Sequence, residues 1–102
     1  MYTHVESLPQ ELSGPLTVLD FGTNWCGYCQ TTKPWIQKVA SQYPSVHHVQ
    51  IEDGKGRRLG RLHLVKLWPT LIFLKDGKEV TRLVRPDDPK EIEQAFALLN
   101  SV

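Results

Sequence analysis

Cys26 and Cys29 are the only cysteines in the 102-residue chain, and two residues separate them. On a helix that spacing brings both sulfurs to one side, close enough to form a small disulfide without unfolding anything. A thiolate is the reactive form, and a helix N-terminus stabilises it through its free backbone N–H groups and partial positive charge. Cys26 is therefore the candidate nucleophile and Cys29, one turn further in, the candidate resolving thiol. Cys26 would attack a substrate disulfide, and Cys29 would then attack the mixed disulfide and release the reduced substrate. The pair also reads as half a zinc site or as two inert buried thiols. Zinc needs four ligands, and no second cysteine pair exists. Of His4, His47, His48 and His63, the adjacent His47 and His48 would point to opposite faces of a strand.

Other residues are suited to serve such a pair. Asp20 is an acid in an otherwise apolar run, where desolvation favours a protonated carboxyl and makes a proton acceptor that works near neutral pH. A strand-end carboxylate tied to backbone is the plainer alternative. Trp68-Pro69 precedes a strand, where an ordinary trans proline is tolerated and a cis bond would mark a constrained turn. Trp25, Tyr28 and Trp68 suit an aromatic docking rim for extended or partly unfolded protein. Core packing competes with that reading, least so for Tyr28 between the cysteines. Lys55, Arg57, Arg58 and Arg61 read as a solvated helix face rather than a phosphate site.

The pair needs a strand to deliver it and a helix to hold it. Leu16 to Phe21 is an apolar, partly β-branched run that predicts a buried central strand, and Gly22-Thr23-Asn24 turns the chain. From Cys26 to Tyr43 the apolar Trp35, Ile36, Val39, Ala40 and Tyr43 recur at helical spacing. Pro34 is expected to kink that helix and Pro44 to end it. Val46 to Ile51 predicts a second strand, Arg57 to Leu62 a short basic helix and Thr70 to Leu74 a third strand. The Asp76-Gly77 turn returns Glu79 to Leu83 antiparallel. Asp88-Pro89-Lys90-Glu91 starts a last helix with an Asp N-cap, a Pro in first position and a Glu three residues after the cap. Its apolar face is Ile92, Ala95, Phe96 and Leu99. Upstream the signal is weak: Tyr2 to Val5 suits a short edge strand and Ser7 to Leu12 one or two helical turns. The order β-α-β-α-β-β-α suits a small mixed sheet with helices on both faces.

No repeat, low-complexity segment or linker divides the chain, so residues 1–102 are expected to form one domain with its own core. A formal net charge of +1 favours neither a nucleic-acid surface nor an acidic partner. No apolar run approaches membrane-spanning length, and Met1 to Glu6 lack the basic-then-apolar pattern of an export signal. These features predict a cytoplasmic protein with no nucleic-acid or membrane partner, although a mature secreted protein would read the same way. In a compartment that keeps thiols reduced, a cysteine pair is catalytic or metal-binding rather than a structural staple.

Trp25-Cys26-Gly27-Tyr28-Cys29, with Asp20-Phe21 on the strand leading into it, resembles the thioredoxin family. Pro34, Trp68-Pro69-Thr70, Lys75-Asp76-Gly77 and the final amphipathic helix extend the resemblance over roughly residues 16–99. It implies the thioredoxin fold, an α/β architecture whose central mixed β-sheet is flanked by helices on both faces. It also implies a protein-disulfide oxidoreductase whose redox group is its own Cys26–Cys29 pair, with no metal or other cofactor. Asp20 would help deprotonate Cys29 through a water, and Pro69, in cis, would pack against the sulfurs and shape the groove. Trp25, Gly27, Tyr28, Trp68 and Thr70 would form the substrate surface, with Trp68 offering its backbone to an extended segment. The implied partners are protein disulfides and a thioredoxin-reductase-like or glutathione-based electron donor, the protein acting as a monomer.

The chain departs from the family at four points. Gly27-Tyr28 replaces the usual Gly-Pro and resembles periplasmic disulfide isomerases. An oxidase or isomerase of an oxidising compartment is therefore one alternative, and a binding module with incidental cysteines another. Gly22 stands where thioredoxins typically have a tryptophan, and His48 where a lysine commonly neighbours the buried aspartate. Arg85 stands near a glycine of the family's substrate surface, where a charge would narrow partner choice.

Overall fold

The computed structural model describes residues 1–7 and 14–102. Its sheet contains β1 (Leu16–Gly22), β2 (His47–Glu52), β3 (Thr70–Lys75) and β4 (Lys78–Val84), in the order β2-β1-β3-β4. β2 runs parallel to β1, while β3 is antiparallel to both β1 and β4. The helices are α1 (Gly27–Ala40), α2 (Arg58–Leu62) and α3 (Pro89–Ser101). This is the α/β thioredoxin architecture that the sequence implies.

β1 occupies the interior because neither of its faces is polar enough to meet water: Thr17 to Phe21 are all buried. Val18 points to one core with Leu71 and Phe73 of β3, Ile36 and Val39 of α1, and Ile92, Phe96 and Leu99 of α3. Burial of one such side chain contributes roughly 1.5–3 kcal/mol. Phe73 and Phe96, meeting edge-on at 5.3 Å between centroids, thus anchor α3 to the sheet. Leu19 and Phe21 point to the second core, with Val49, Ile51, Ile72, Leu74 and Leu59 of α2. Strand alternation then places Asp20 and Gly22 on the Val18 face.

The turn between β3 and β4 is closed by Asp76 and Gly77, both at positive φ (51° and 81°), as a tight two-residue hairpin requires. Asp88 caps α3 by accepting from the Lys90 N–H at 2.9 Å. Glu91, expected to reach back to the cap residue itself, instead accepts from the N–H of Asp87 at 3.1 Å. α1 ends at Ala40, earlier than its apolar pattern predicts. The Gln42 and Tyr43 N–H groups bond to Val39 and Ala40 in tighter turns, and the Tyr43 ring lies against Phe96 at 5.6 Å. The segment from Tyr2 to Val5 is not a strand. It makes one parallel bridge, Thr3 with Ile51, and the Glu52 N–H donates to the Thr3 carbonyl at 2.7 Å. The helical turns expected at 7–12 fall, beyond Ser7, outside the described residues.

Candidate active site

The junction of β1 and α1 carries both cysteines. Cys26 takes the N-cap position of α1 with extended backbone (φ −77°, ψ 122°), and its Sγ accepts from the backbone N–H of Cys29 at 3.2 Å. A sulfur here stands in for the usual capping oxygen, so one of the helix's unpaired N–H groups and the positive end of its dipole both favour negative charge on it. Both residues are free thiols. Cys26 keeps 7% of its surface and Cys29 only 1%, which leaves Cys26 the more accessible of the two sulfurs. Burial, reinforced by the Cys26 sulfur, pushes the Cys29 thiol up to about 12, against weaker opposing pulls from the Thr23 backbone and the Tyr2 hydroxyl. At neutral pH Cys29 holds its proton, so any nucleophilic step by this sulfur would require a neighbour to accept it.

The outer side of the site is aromatic. The Trp68–Pro69 bond is cis, Pro69 is buried, and the Trp68 carbonyl lies 3.9 Å from the Cys26 Sγ. The Trp68 indole N–H donates to Asp53 at 2.8 Å, and the exposed Trp25 stands edge-on against Trp68 at 5.6 Å. Tyr28 is exposed, with the Arg85 guanidinium 4.4 Å from its ring centre. The Arg85 Nε–H donates to the Trp68 carbonyl at 2.9 Å, so the backbone group expected to receive an extended substrate is already engaged. Nothing lies within 4 Å of where a Cβ on Gly27 would be, which keeps the approach beside Cys26 open. Thr70 does not face the rim. It is buried, and its hydroxyl donates to the Leu67 carbonyl at 2.6 Å, bracing the loop from inside.

The inner side is polar and sealed. Asp20 is buried, with Oδ1 accepting from the Tyr2 hydroxyl at 2.7 Å and Oδ2 2.9 Å from the His48 Nε2. Tyr2 packs in one cluster with Cys26 and Cys29. Gly22 makes this possible: a Cβ there would sit 2.6 Å from the Cys29 Sγ, 2.8 Å from the Tyr2 Cζ and 3.0 Å from its hydroxyl. Asn24 holds the tyrosine in register, accepting from the Tyr2 N–H at 2.9 Å and donating to the Tyr2 carbonyl at 3.0 Å. Burial, then the Asp20 carboxylate, drive the Tyr2 phenol far above its ordinary pKa. Sequence reasoning missed Tyr2. The available signal was Gly22, a residue without a side chain on a face of buried ones, whose space some distant group had to fill.

Among the described residues, no group of three or more His, Cys, Asp and Glu side chains is placed to hold a metal, and no helix is long and apolar enough to cross a membrane.

An α/β sheet that delivers a reactive thiol to a helix N-terminus, one turn from a sealed second thiol, defines a thiol–disulfide oxidoreductase. The thioredoxin family model matches residues 3–97, and the chain belongs to the thioredoxin family. Thioredoxin-2 of Saccharomyces cerevisiae is 40% identical over 82 residues, covering 80% of this chain and 78% of that protein. The thioredoxin of Chlamydia trachomatis is 33% identical over 79 residues, or 78% of each chain. Among solved structures, thioredoxin 2 from Pseudomonas aeruginosa PAO1 in its reduced form is 46% identical, with a TM-score of 0.79 over 100% of both chains. Thioredoxins act on protein disulfides through a redox-active cysteine pair that needs no external cofactor.

Proposed function

We propose that the protein reduces disulfides in other proteins, with Cys26 as nucleophile and Cys29 as resolving thiol. The Cys26 thiolate attacks one sulfur of a substrate disulfide; that S–S bond breaks, and the other substrate sulfur leaves as a thiolate and takes a proton. Cys29 then loses its proton and attacks the Cys26 sulfur. The mixed disulfide breaks and a second substrate thiolate leaves, so the substrate gains two electrons and two protons while Cys26–Cys29 becomes a disulfide. Asp20 receives the Cys29 proton. Pro69 shapes the groove, Thr70 braces it from beneath, and Trp25, Gly27, Tyr28 and Trp68 form the docking rim. The observation that carries this reading is the unequal environment of the two sulfurs: one capping a helix and still in part accessible, the other sealed and protonated.

A thioredoxin-reductase-like or glutathione-based donor would restore the dithiol, and residues 1–102 would act as one monomeric domain in the cytoplasm, without nucleic-acid or membrane partners. Insulin-disulfide reduction tests the assignment. Cys26→Ser is expected to abolish it, and Cys29→Ser to accumulate a covalent adduct with the substrate. Full turnover by Cys26→Ser would overturn the reading. A redox titration tests direction: a midpoint near the −270 mV typical of thioredoxins, about, fits a cytoplasmic reductase. A midpoint near about −180 mV would favour an isomerase of an oxidising compartment, the role that Gly27-Tyr28 otherwise suggests.

A further inference from the structure

We propose that Tyr2 carries the proton from Cys29 to Asp20, working in the space that Gly22 leaves open. This rests on the assignment of Asp20 as the group that deprotonates Cys29. It replaces the bridging water of the expected mechanism with a side chain fixed in the fold.

The geometry has the right polarity. A phenol donates one hydrogen bond and keeps lone pairs that accept others. The Tyr2 O–H donates to the Asp20 Oδ1 at 2.7 Å, leaving its lone pairs as the acceptors that the relay requires for the Cys29 S–H. The Tyr2 hydroxyl and the Cys29 Sγ both lie within 3.0 Å of the single point that a Cβ on Gly22 would occupy. The other oxygen of Asp20 is engaged by His48. In the resolving step the Cys29 proton passes to the Tyr2 oxygen as the Tyr2 proton passes to the Asp20 Oδ1. The electron pair freed on Cys29 forms the bond to the Cys26 Sγ, and the bond from Cys26 to the substrate sulfur breaks. The substrate leaves as a thiolate that solvent protonates. Tyr2 begins and ends neutral, which suits a site that strongly disfavours its phenolate.

The groups around this path are Asp20 from β1, His48 from β2, and Cys26 and Cys29 at the start of α1. Lys33 and the amino group of Met1, which donates to Gln50, stand at the outer edge. A cavity of about 50 Å³, lined by Tyr2, Thr23, Asn24, Cys29, Gln30 and Lys33 among others, offers the competing route to solvent.

The test separates the two thiols in time. Reduced protein mixed with dithiobis(nitrobenzoate) releases one thionitrobenzoate when Cys26 attacks and a second when Cys29 resolves. Stopped-flow absorbance from pH 6 to 9 reads both rates. Tyr2→Phe keeps the ring that fills the Gly22 space and removes only the hydroxyl. It is expected to lower the ratio of second to first rate by about tenfold to a hundredfold. Asp20→Asn should lower it at least as much, and the double variant no further than Asp20→Asn alone. An indirect effect would have the opposite sign, because a carboxylate that loses a donor becomes the stronger base. A normal ratio in Tyr2→Phe with a slow Asp20→Asn overturns the relay and leaves Asp20 in its role, reached by another path. Normal ratios in both variants overturn both assignments. Losses that multiply in the double variant show Tyr2 acting independently of Asp20, and also overturn the relay.

Discussion

Around Cys26 the side chains come from loops and from the first turn of α1, and they stand in water: Trp25 and Tyr28 are exposed, and Arg85 reaches across from beyond β4 to both Tyr28 and Trp68. Around Cys29 they come from the middle of the sheet and from the N-terminal segment, and they are sealed: Asp20, Tyr2 and the sulfur itself are all buried. The outer set touches through ring contacts, one backbone carbonyl and the hydrogen bond from Trp68 to Asp53, contacts that tolerate adjustment. The inner set is matched by volume, with a glycine whose missing methyl group is the room that Tyr2 and Cys29 occupy. Substitutions outside should therefore alter what docks, and substitutions inside should alter stability and proton movement together.

The strongest way to break this contrast is Gly22→Ala. Its new methyl group would stand 2.6 Å from the Cys29 Sγ and 2.8 Å from the Tyr2 Cζ. Overpacking of that kind costs about 1–3 kcal/mol, which urea denaturation reads directly. An unchanged midpoint would mean that the inner set is as adjustable as the outer one.

Next in size is a pH effect confined to the inner side. The folded state raises the Cys29 thiol from 9.0 to about 12, so below pH 9 both folded and unfolded chains hold that proton and its contribution is fully present. Between pH 9 and about 12 the unfolded chain releases a proton that the fold retains, and stability falls as pH rises. Reduced protein should lose more stability over that interval than Cys29→Ser does. Parallel melting curves for the two would remove the effect from Cys29.

The smallest effect is expected on the outer side, from Arg85→Gly. Arg85 sits at φ 48°, a conformation that costs a side-chain-bearing residue roughly 1–2 kcal/mol. Its stacking on Tyr28 and its hydrogen bond to the Trp68 carbonyl together return about 1–2 kcal/mol at an exposed site. The two nearly cancel, so the melting temperature should hardly move. The KM ratio for basic against acidic disulfide peptides should shift by about twofold to fivefold toward basic ones, the scale of a surface charge contact. A change in resolution rate instead would tie the rim to the sealed side.

The outer side was the more legible of the two in the sequence. Cys26, Trp25, Tyr28 and the Trp68-Pro69 step are adjacent or locally patterned, and β1, β3 and the Asp-Gly hairpin follow from apolar runs and turn chemistry. Departures from expectation came where a distant group competes with a local rule. Tyr43 leaves its helix to meet Phe96, Thr70 turns its hydroxyl inward to Leu67, and Arg85 takes the carbonyl of Trp68. Tyr2 was illegible for the same reason. Its segment has no strand period, and its partners lie 18 and 22 positions away.

The clasp between Asn24 and the Tyr2 backbone has a practical side. The motif itself spans five residues, yet here a side chain packed against both cysteines is threaded in from 22 positions before the turn that holds it. Two chains with an identical Trp-Cys-Gly-Tyr-Cys motif can therefore differ in chemistry through their leading residues alone. Exchanging that segment, or fusing a tag to it, amounts to editing the redox centre without touching the motif.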